Sequence, residues 1–341
     1  MLLLASVPEN ETRKASRCRL DEVHKNCNFV DCTIIIAPLL FIGEEKAVDE
    51  HTNEISACAV VDRILKSCLP ETAWQWLSSQ VESLSVEPSA GTVARIFTSL
   101  PRQLKLIDSQ VEAVDVLATA ERLPFHVEGW PVVRLARVWL LMNIPKVAQA
   151  DYVRLIEPLF MYGDMEELTA LYSALPVYHY PEVWVARCKE GVRSNIGPVR
   201  HAIMVNNPYP ADFLEEEAWN QLVLKAFFTE EDVSMIVGLK RRNNRQLALA
   251  LTDYAYERYA AKRDINPMLW ILVSSYIDER AFNLMVRVMN DGPASLERQA
   301  IAYAFKQCDY VPAQQYLRSD HTLVALGESD GTPWRGWDDE K

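Results

Sequence analysis

From residue 74 onward, apolar positions recur three and four residues apart, the spacing that puts side chains on one face of an α-helix. Val132, Leu135, Ala136, Trp139 and Leu140 follow it, and Pro131 just ahead suits a first turn, where its missing N–H is not needed. Asp164 with Glu167 three residues on has the form of a capping box. Leu168, Leu171, Tyr172 and Leu175 then make an apolar stripe that stops at Pro176. Another helix follows from Pro181. Residues 215–228 open with acidic side chains, favourable at the positive end of a helix dipole, and place Trp219, Leu222, Val223, Ala226 and Phe227 on one face. Asn243 or Asn244 caps the next helix, which turns Leu247, Leu251, Tyr254 and Ala255 inward and runs to about Arg263. Pro267 opens a further one.

Strand-like alternation is absent from the sequence, and the connections are short and marked by proline or asparagine. The pattern predicts an all-α protein of antiparallel helix pairs stacked side by side, as an irregular bundle or a short α-solenoid. No fixed period recurs, so a regular repeat family is not expected. Residues 1–68 mix charges, cysteines and one apolar block without helical period, and read as a divergent, poorly ordered extension. Residues 69–326 form the helical domain. Residues 327–341, with Gly331, Pro333, Gly336 and three closing acids, read as a disordered tail.

At 341 residues and 49% hydrophobic, the chain has enough apolar surface for a large core. Its formal charge of -12 works against neutralising a phosphate backbone, so nucleic acid is not an expected partner. Seven cysteines, five of them at or before Cys68, do not make a secreted disulfide framework, and a reducing cytoplasm fits best. Met1-Leu2-Leu3-Leu4-Ala5 is too short for a signal-peptide core, and Glu9 and Glu11 follow at once. The apolar run 32–43 contains Pro38 and falls short of the ~20 residues that cross a bilayer, so no transmembrane segment is expected. His24, Cys27 and Cys32 resemble part of a metal set, but no second pair with ligand spacing completes it. Gly-rich phosphate loops and the common hydrolase motifs are missing, so neither cofactor nor metal is expected.

Polar residues cluster in two places inside this apolar background. Arg193 and Asn195 stand where one helix ends after Gly191 and the next begins near Pro198. Either Asn195 caps that next helix while Arg193 satisfies free carbonyls, or both face a ligand. Asn207-Pro208-Tyr209-Pro210 predicts an extended, rigid turn, because a residue before proline avoids the helical region. Asn220 and Lys225 follow on a helix whose other face is apolar, the lysine being a buried, shifted amine or a snorkelling surface residue. In the second cluster Asp253 and Glu257 are four apart and share a helix face. They suit an acid/base pair or a metal, or else a solvated face paired with Arg258 and Lys262. Tyr254, Arg258 and Arg263, with Tyr256 and Tyr259, can line a pocket for an anionic or hydroxylated ligand. Arg95, Arg102, Arg134 and Arg137 line the same groove or balance acidic neighbours. No catalytic residue can be assigned from these patterns.

Several strings carry a resemblance. Glu190-Gly191-Val192-Arg193-Ser194-Asn195, Asn207-Pro208-Tyr209-Pro210 and the run from Trp219-Asn220-Gln221 to Ala226-Phe227-Phe228 come first. Gly238-Leu239 with Arg242-Asn243, and Asp253-Tyr254-Ala255-Tyr256-Glu257-Arg258 through Arg263, follow in order. Together they resemble the EboA family over about residues 74–305. The chain departs at Arg200-His201, where that family more often carries an acidic residue. The resemblance implies a bacterial gene cluster that also encodes a TatD-like metal hydrolase, a UbiA-type prenyltransferase, a dehydroquinate-synthase-like enzyme, a TIM-barrel protein and a phosphatase-like protein. Such clusters make or move a secondary metabolite, including passage of a scytonemin precursor to the periplasm in cyanobacteria. The expected role is therefore an accessory protein that binds an intermediate in a groove lined by Arg193, Asn195, Asn220, Tyr254, Glu257 and Arg258. The alternatives are an enzyme that uses Asp253 and Glu257 on a sugar-like or isoprenoid intermediate, and a scaffold that docks the other cluster proteins.

Overall fold

In the computed structural model, which describes residues 56–86, 88–104, 109–112 and 123–327, the apolar stripes fold into seventeen α-helices joined by short turns. The described residues contain no strand beyond an isolated bridge between Gln110 and Pro131. The first ten helices are α1 (Ala57–Cys68), α2 (Glu71–Val86), α3 (Ala90–Leu104), α4 (Val132–Met142), α5 (Gln149–Tyr162), α6 (Met165–Ser173), α7 (Val185–Arg193), α8 (Gly197–Met204), α9 (Tyr209–Phe213) and α10 (Glu216–Phe228). Then come α11 (Leu239–Arg242), α12 (Arg245–Ala260), α13 (Pro267–Val273), α14 (Glu279–Asn290), α15 (Ser295–Gln307), α16 (Val311–Arg318) and α17 (His321–Gly327). Helix α1 packs on α4, α4 on α6 and α6 on α8, so alternate helices stack in a row. α13, α15 and α17 repeat the pattern further along, with α10 and α12 between. One hydrophobic cluster runs through them from Val60 to Leu323. None of the described helices is long and apolar enough to cross a membrane.

The stripe behind Pro131 becomes α4, in which 9 of 11 residues are buried. A helix buried on all sides must neutralise any charge it carries. Arg137 does so with Glu167 of α6 at 3.4 Å and lies over the Phe97 ring. Glu167 also closes the predicted capping box, its carboxylate accepting from the Asp164 N–H while Asp164 accepts from Glu167 N–H. Arg134 donates from Nε and Nη2 to Ser173 Oγ and stacks 3.9 Å from the Trp130 ring. Burial pulls its pKa down to about 10, which leaves it charged at neutral pH. Arg134 and Arg137 thus balance and brace the core, whereas Arg95 and Arg102 are exposed.

Two expectations change, the end of α12 and the shape of the Asn-Pro-Tyr-Pro turn. The boundary drawn after residue 68 falls at the end of α1, whose Val60, Val61, Ile64 and Leu65 are buried and whose Asp62 accepts from the Trp139 indole. Asn244, not Asn243, caps α12, accepting from Leu247 N–H; Asn243 donates instead to the Leu272 carbonyl. Helix α12 stops at Ala260, because Lys262 enters the left-handed region at φ 53. The Asn-Pro-Tyr-Pro turn is not extended: Tyr209 opens the short helix α9, with Pro210 next, where a helix does not need its N–H. The Asn207 side chain accepts from Tyr209 N–H and so starts that turn. The apolar run 32–43, the His24, Cys27 and Cys32 set, and the tail from 328 lie outside the described residues.

Candidate functional site

Helices α7 and α10 meet beside the Arg193-Ser194-Asn195 turn. Gly191 permits the close approach of α7 to its neighbours, since a Cβ there would overlap Ile203 of α8 and stand 2.6 Å from the Tyr172 ring of α6. Lys189, Val192 and Arg193 then face Leu214, Ala218 and Gln221 across a cleft of about 200 Å³. A 2.5 Å ion pair between Lys189 and Glu215 closes one end, and the lysine holds that carboxyl below its usual range. Glu217, Gln221 and Lys225 follow at four-residue spacing along one stripe of α10. Lys225 Nζ ends the stripe by donating to the Ser194 carbonyl at 3.1 Å, just beyond the last turn of α7.

Beyond Lys225, α10 closes with a Schellman cap. Glu230 takes φ 56 and Glu231 N–H bonds back to the Ala226 carbonyl. That reversal carries the Glu231 carboxylate to α8, 3.6 Å from Arg200 Nη2 and 3.2 Å from His201 Nδ1. The Arg200 and Glu231 side chains are 14% and 12% exposed, so this polar contact is largely withdrawn from water. Burial first, and then the Arg200 charge, lower the pKa of Lys225.

The other sequence-derived residues lie elsewhere. Arg193 is exposed on the cleft, while Asn195 is exposed in the turn, where Ile196 rather than Asn195 occupies the N-cap position of α8. Asn207 is buried and donates to the Tyr172 and Ala202 carbonyls, and the Tyr209 hydroxyl donates to the Pro181 carbonyl. Burial pushes the Tyr209 phenol well above its ordinary pKa. Asn220 exchanges amide hydrogen bonds with Asn244. Five residues at about 100° each put Asn220 about 140° around α10 from Lys225, so the two side chains border opposite edges of the buried face.

On α12, Asp253 is exposed and pairs with Arg280, and Glu257 is exposed. Tyr254 packs its ring 4.6 Å from Phe228 and donates to the Phe227 carbonyl. Arg258 lies over Tyr254 and donates from Nε to the Asp264 carbonyl. Arg263 borders a separate cleft of about 310 Å³ with Tyr259 and Asp291, and Tyr256 borders another of about 400 Å³ with Arg280. Arg193, Tyr256 and Arg263 thus border three different clefts, and Asp253, Tyr254, Glu257 and Arg258 line none of these.

Sequence reasoning missed Lys189, Ser194, Arg200, His201, Gln221 and Glu231. One signal was visible, the adjacent basic pair Arg200-His201. The cleft lining carries two cations, Lys189 and Arg193, and two carboxylates, Glu215 and Glu217; with Lys189 paired to Glu215, Arg193 is the cation left to meet an anion. Among the described residues no three His, Cys, Asp or Glu side chains stand together as metal ligands. Burial pushes the nearby Cys188 thiol up to about 12, out of reach as a nucleophile at neutral pH.

A family model described as metabolite traffic protein EboA matches residues 57–274. The chain belongs to the EboA family. No curated protein and no solved structure matches it. The EboA match takes in the whole α7–α10 cleft, the Arg200 cluster and α12, and stops ahead of α14. It begins and ends earlier than the stretch 74–305 read from the motifs. Membership gives the chain an accessory role in metabolite traffic.

Proposed function

We propose that this chain is a cytoplasmic carrier of a secondary-metabolite intermediate, held by an acidic group in the α7–α10 cleft. On this reading it passes the intermediate among other proteins of its gene cluster, such as the TatD-like hydrolase and the UbiA-type prenyltransferase, on a route toward the periplasm. Arg193 carries the proposal. It borders the cleft and engages no side-chain partner among the described residues, in a chain of net charge -12. A free guanidinium beside Val192, Leu214 and Ala218 suits a ligand with one acidic and one apolar end. At about 200 Å³ the cleft is smaller than the ~300–1,000 Å³ of pockets that engulf a ligand, so it grips one part of the molecule. The acid/base alternative has less support, because Asp253 is paired with Arg280 and both it and Glu257 face solvent.

Native mass spectrometry of the protein, purified from a host that carries the neighbouring genes, tests this. The expected result is a co-purified mass that is lost in Arg193→Ala and in the cleft-filling Ala218→Trp, with melting of Arg193→Ala unchanged. A ligand retained by both variants refutes the cleft, and an empty protein bound to a partner enzyme favours a docking role instead.

A further inference from the structure

Arg200 is unlike the other ordered arginines near it. Arg187 donates to Glu157 from Nε and Nη2, at 3.1 and 2.8 Å, and to Glu190 from Nη1 at 2.6 Å. Arg242 donates to the carbonyls of Ala211 and Leu214. Arg200 is more withdrawn from solvent than Arg187, with side chains 14% and 18% exposed. Yet its contact among the described residues is a single one, to Glu231 at 3.6 Å. That is longer than the ~2.7–2.9 Å of a good charge-assisted hydrogen bond. Its Nε is buried with no partner. A guanidinium has five donors, and leaving them unmet in a buried place is costly unless something else meets them. Beside it stand His201, which shares the same carboxylate, and Lys225, which directly precedes Ala226, the residue whose carbonyl the Glu231 N–H bonds back to. Two basic groups share one acid, and Lys225 stands at the same helix end, on the Ser194 carbonyl.

We propose that Arg200, Lys225 and His201 form an oxyanion subsite for a phosphate-type group, with Glu231 as an internal counter-ion that the bound anion displaces or outcompetes. This rests on the carrier reading and adds a second anionic contact, outside the cleft lining, to the one at Arg193. The Lys225 bond to the Ser194 carbonyl places the subsite next to Arg193, so a ligand with its phosphate here lays its body along Val192 and Ala218. A tetrahedral, multiply charged head matches the surplus of positive charge better than a single carboxylate does. Glu231 is brought there by the left-handed Glu230, at the end of α10.

Isothermal titration calorimetry with inorganic phosphate, and with acetate at the same ionic strength, tests the subsite in the full chain. Phosphate should bind the wild type and bind Glu231→Gln about tenfold tighter, the size of one charge-assisted contact. Lys225→Met should bind it about tenfold more weakly, and acetate should not compete. Arg200→Met should behave like Lys225→Met, and if it fails to fold the lysine variant carries the test alone. The proposal falls if Glu231→Gln shows no gain, if Lys225→Met titrates like wild type, or if acetate matches phosphate. Loss of co-purified metabolite in Arg193→Ala together with a flat phosphate titration overturns the subsite and leaves the cleft standing. Phosphate binding without any co-purified metabolite does the reverse.

Discussion

Asn220 of α10 and Asn244, the N-cap of α12, face each other as a reciprocal amide pair. Asn244 Nδ2 donates to Asn220 Oδ1 at 2.8 Å and Asn220 Nδ2 donates to Asn244 Oδ1 at 3.2 Å. The same Asn244 oxygen accepts from Leu247 N–H. The pair therefore ties the start of one helix to the flank of another, and Asn220 spends its hydrogen bonds on architecture. Asn220→Ala should cost about 1–2 kcal/mol by leaving the Asn244 amide short of a partner. Asn244→Ala should cost about 1 kcal/mol more, because it also removes the cap. Urea denaturation of both single variants and the double variant measures this. A double variant whose loss equals the sum of the singles would mean that the two amides do not interact.

The caps of α10 and α12 place Glu230 and Lys262 at φ 56 and φ 53, where a Cβ costs about 1 kcal/mol and glycine costs nothing. Glu230→Gly and Lys262→Gly should each raise stability by up to about 1 kcal/mol, less whatever glycine gains in the unfolded chain. Thermal melting decides. Destabilisation by both variants would show that these turns are not left-handed.

Two ion pairs offer a contrast. Arg137 and Glu167 are 4% and 9% exposed, while Arg280 and Asp253 are 55% and 58% exposed. Glu167→Ala strands a buried guanidinium and opens the capping box, and should cost about 3–5 kcal/mol. Arg280→Ala should cost less than about 1 kcal/mol, as exposed pairs do. Comparable losses in the two variants would contradict these burial assignments.

Glu297 is half-buried, and burial raises the pKa of its carboxyl above the ordinary 4.5 despite the hydrogen bond from the Trp270 indole. The folded chain then holds this proton more tightly than the unfolded chain does. The contribution is fully present below pH 4.5 and is lost as pH rises through the raised folded value. Glu297→Gln keeps an acceptor for Trp270 and removes the charge, so it should stabilise the fold near neutral pH and gain little near pH 4.5. Urea midpoints of variant and wild type at the two pH values give the answer, and an equal offset at both would refute it.

Much of the fold could be read along the chain because helical period is a local property. Trp219, Leu222, Val223, Ala226 and Phe227 are all buried as their spacing predicts, and Asp164 and Glu167 form the capping box that their separation announces. The same period, applied to Asn220 and Lys225, already separates them around α10. The Arg193 region was visible as polar residues at a helix end. Its partners were not, since periodicity says which side of a helix a residue takes and nothing about what arrives there. Lys225 meets the carbonyl of Ser194, 31 residues away, and Glu231 meets His201, 30 away. The sequence by itself determined the all-helical class, the buried faces of the helices it named and the caps at Asp164 and Asn244, through spacing and capping chemistry within a few residues. The tertiary structure alone decided that Lys225 meets the Ser194 carbonyl and Glu231 meets Arg200 and His201 while Asp253 turns to Arg280, because packing of whole helices selects partners that local propensity cannot encode.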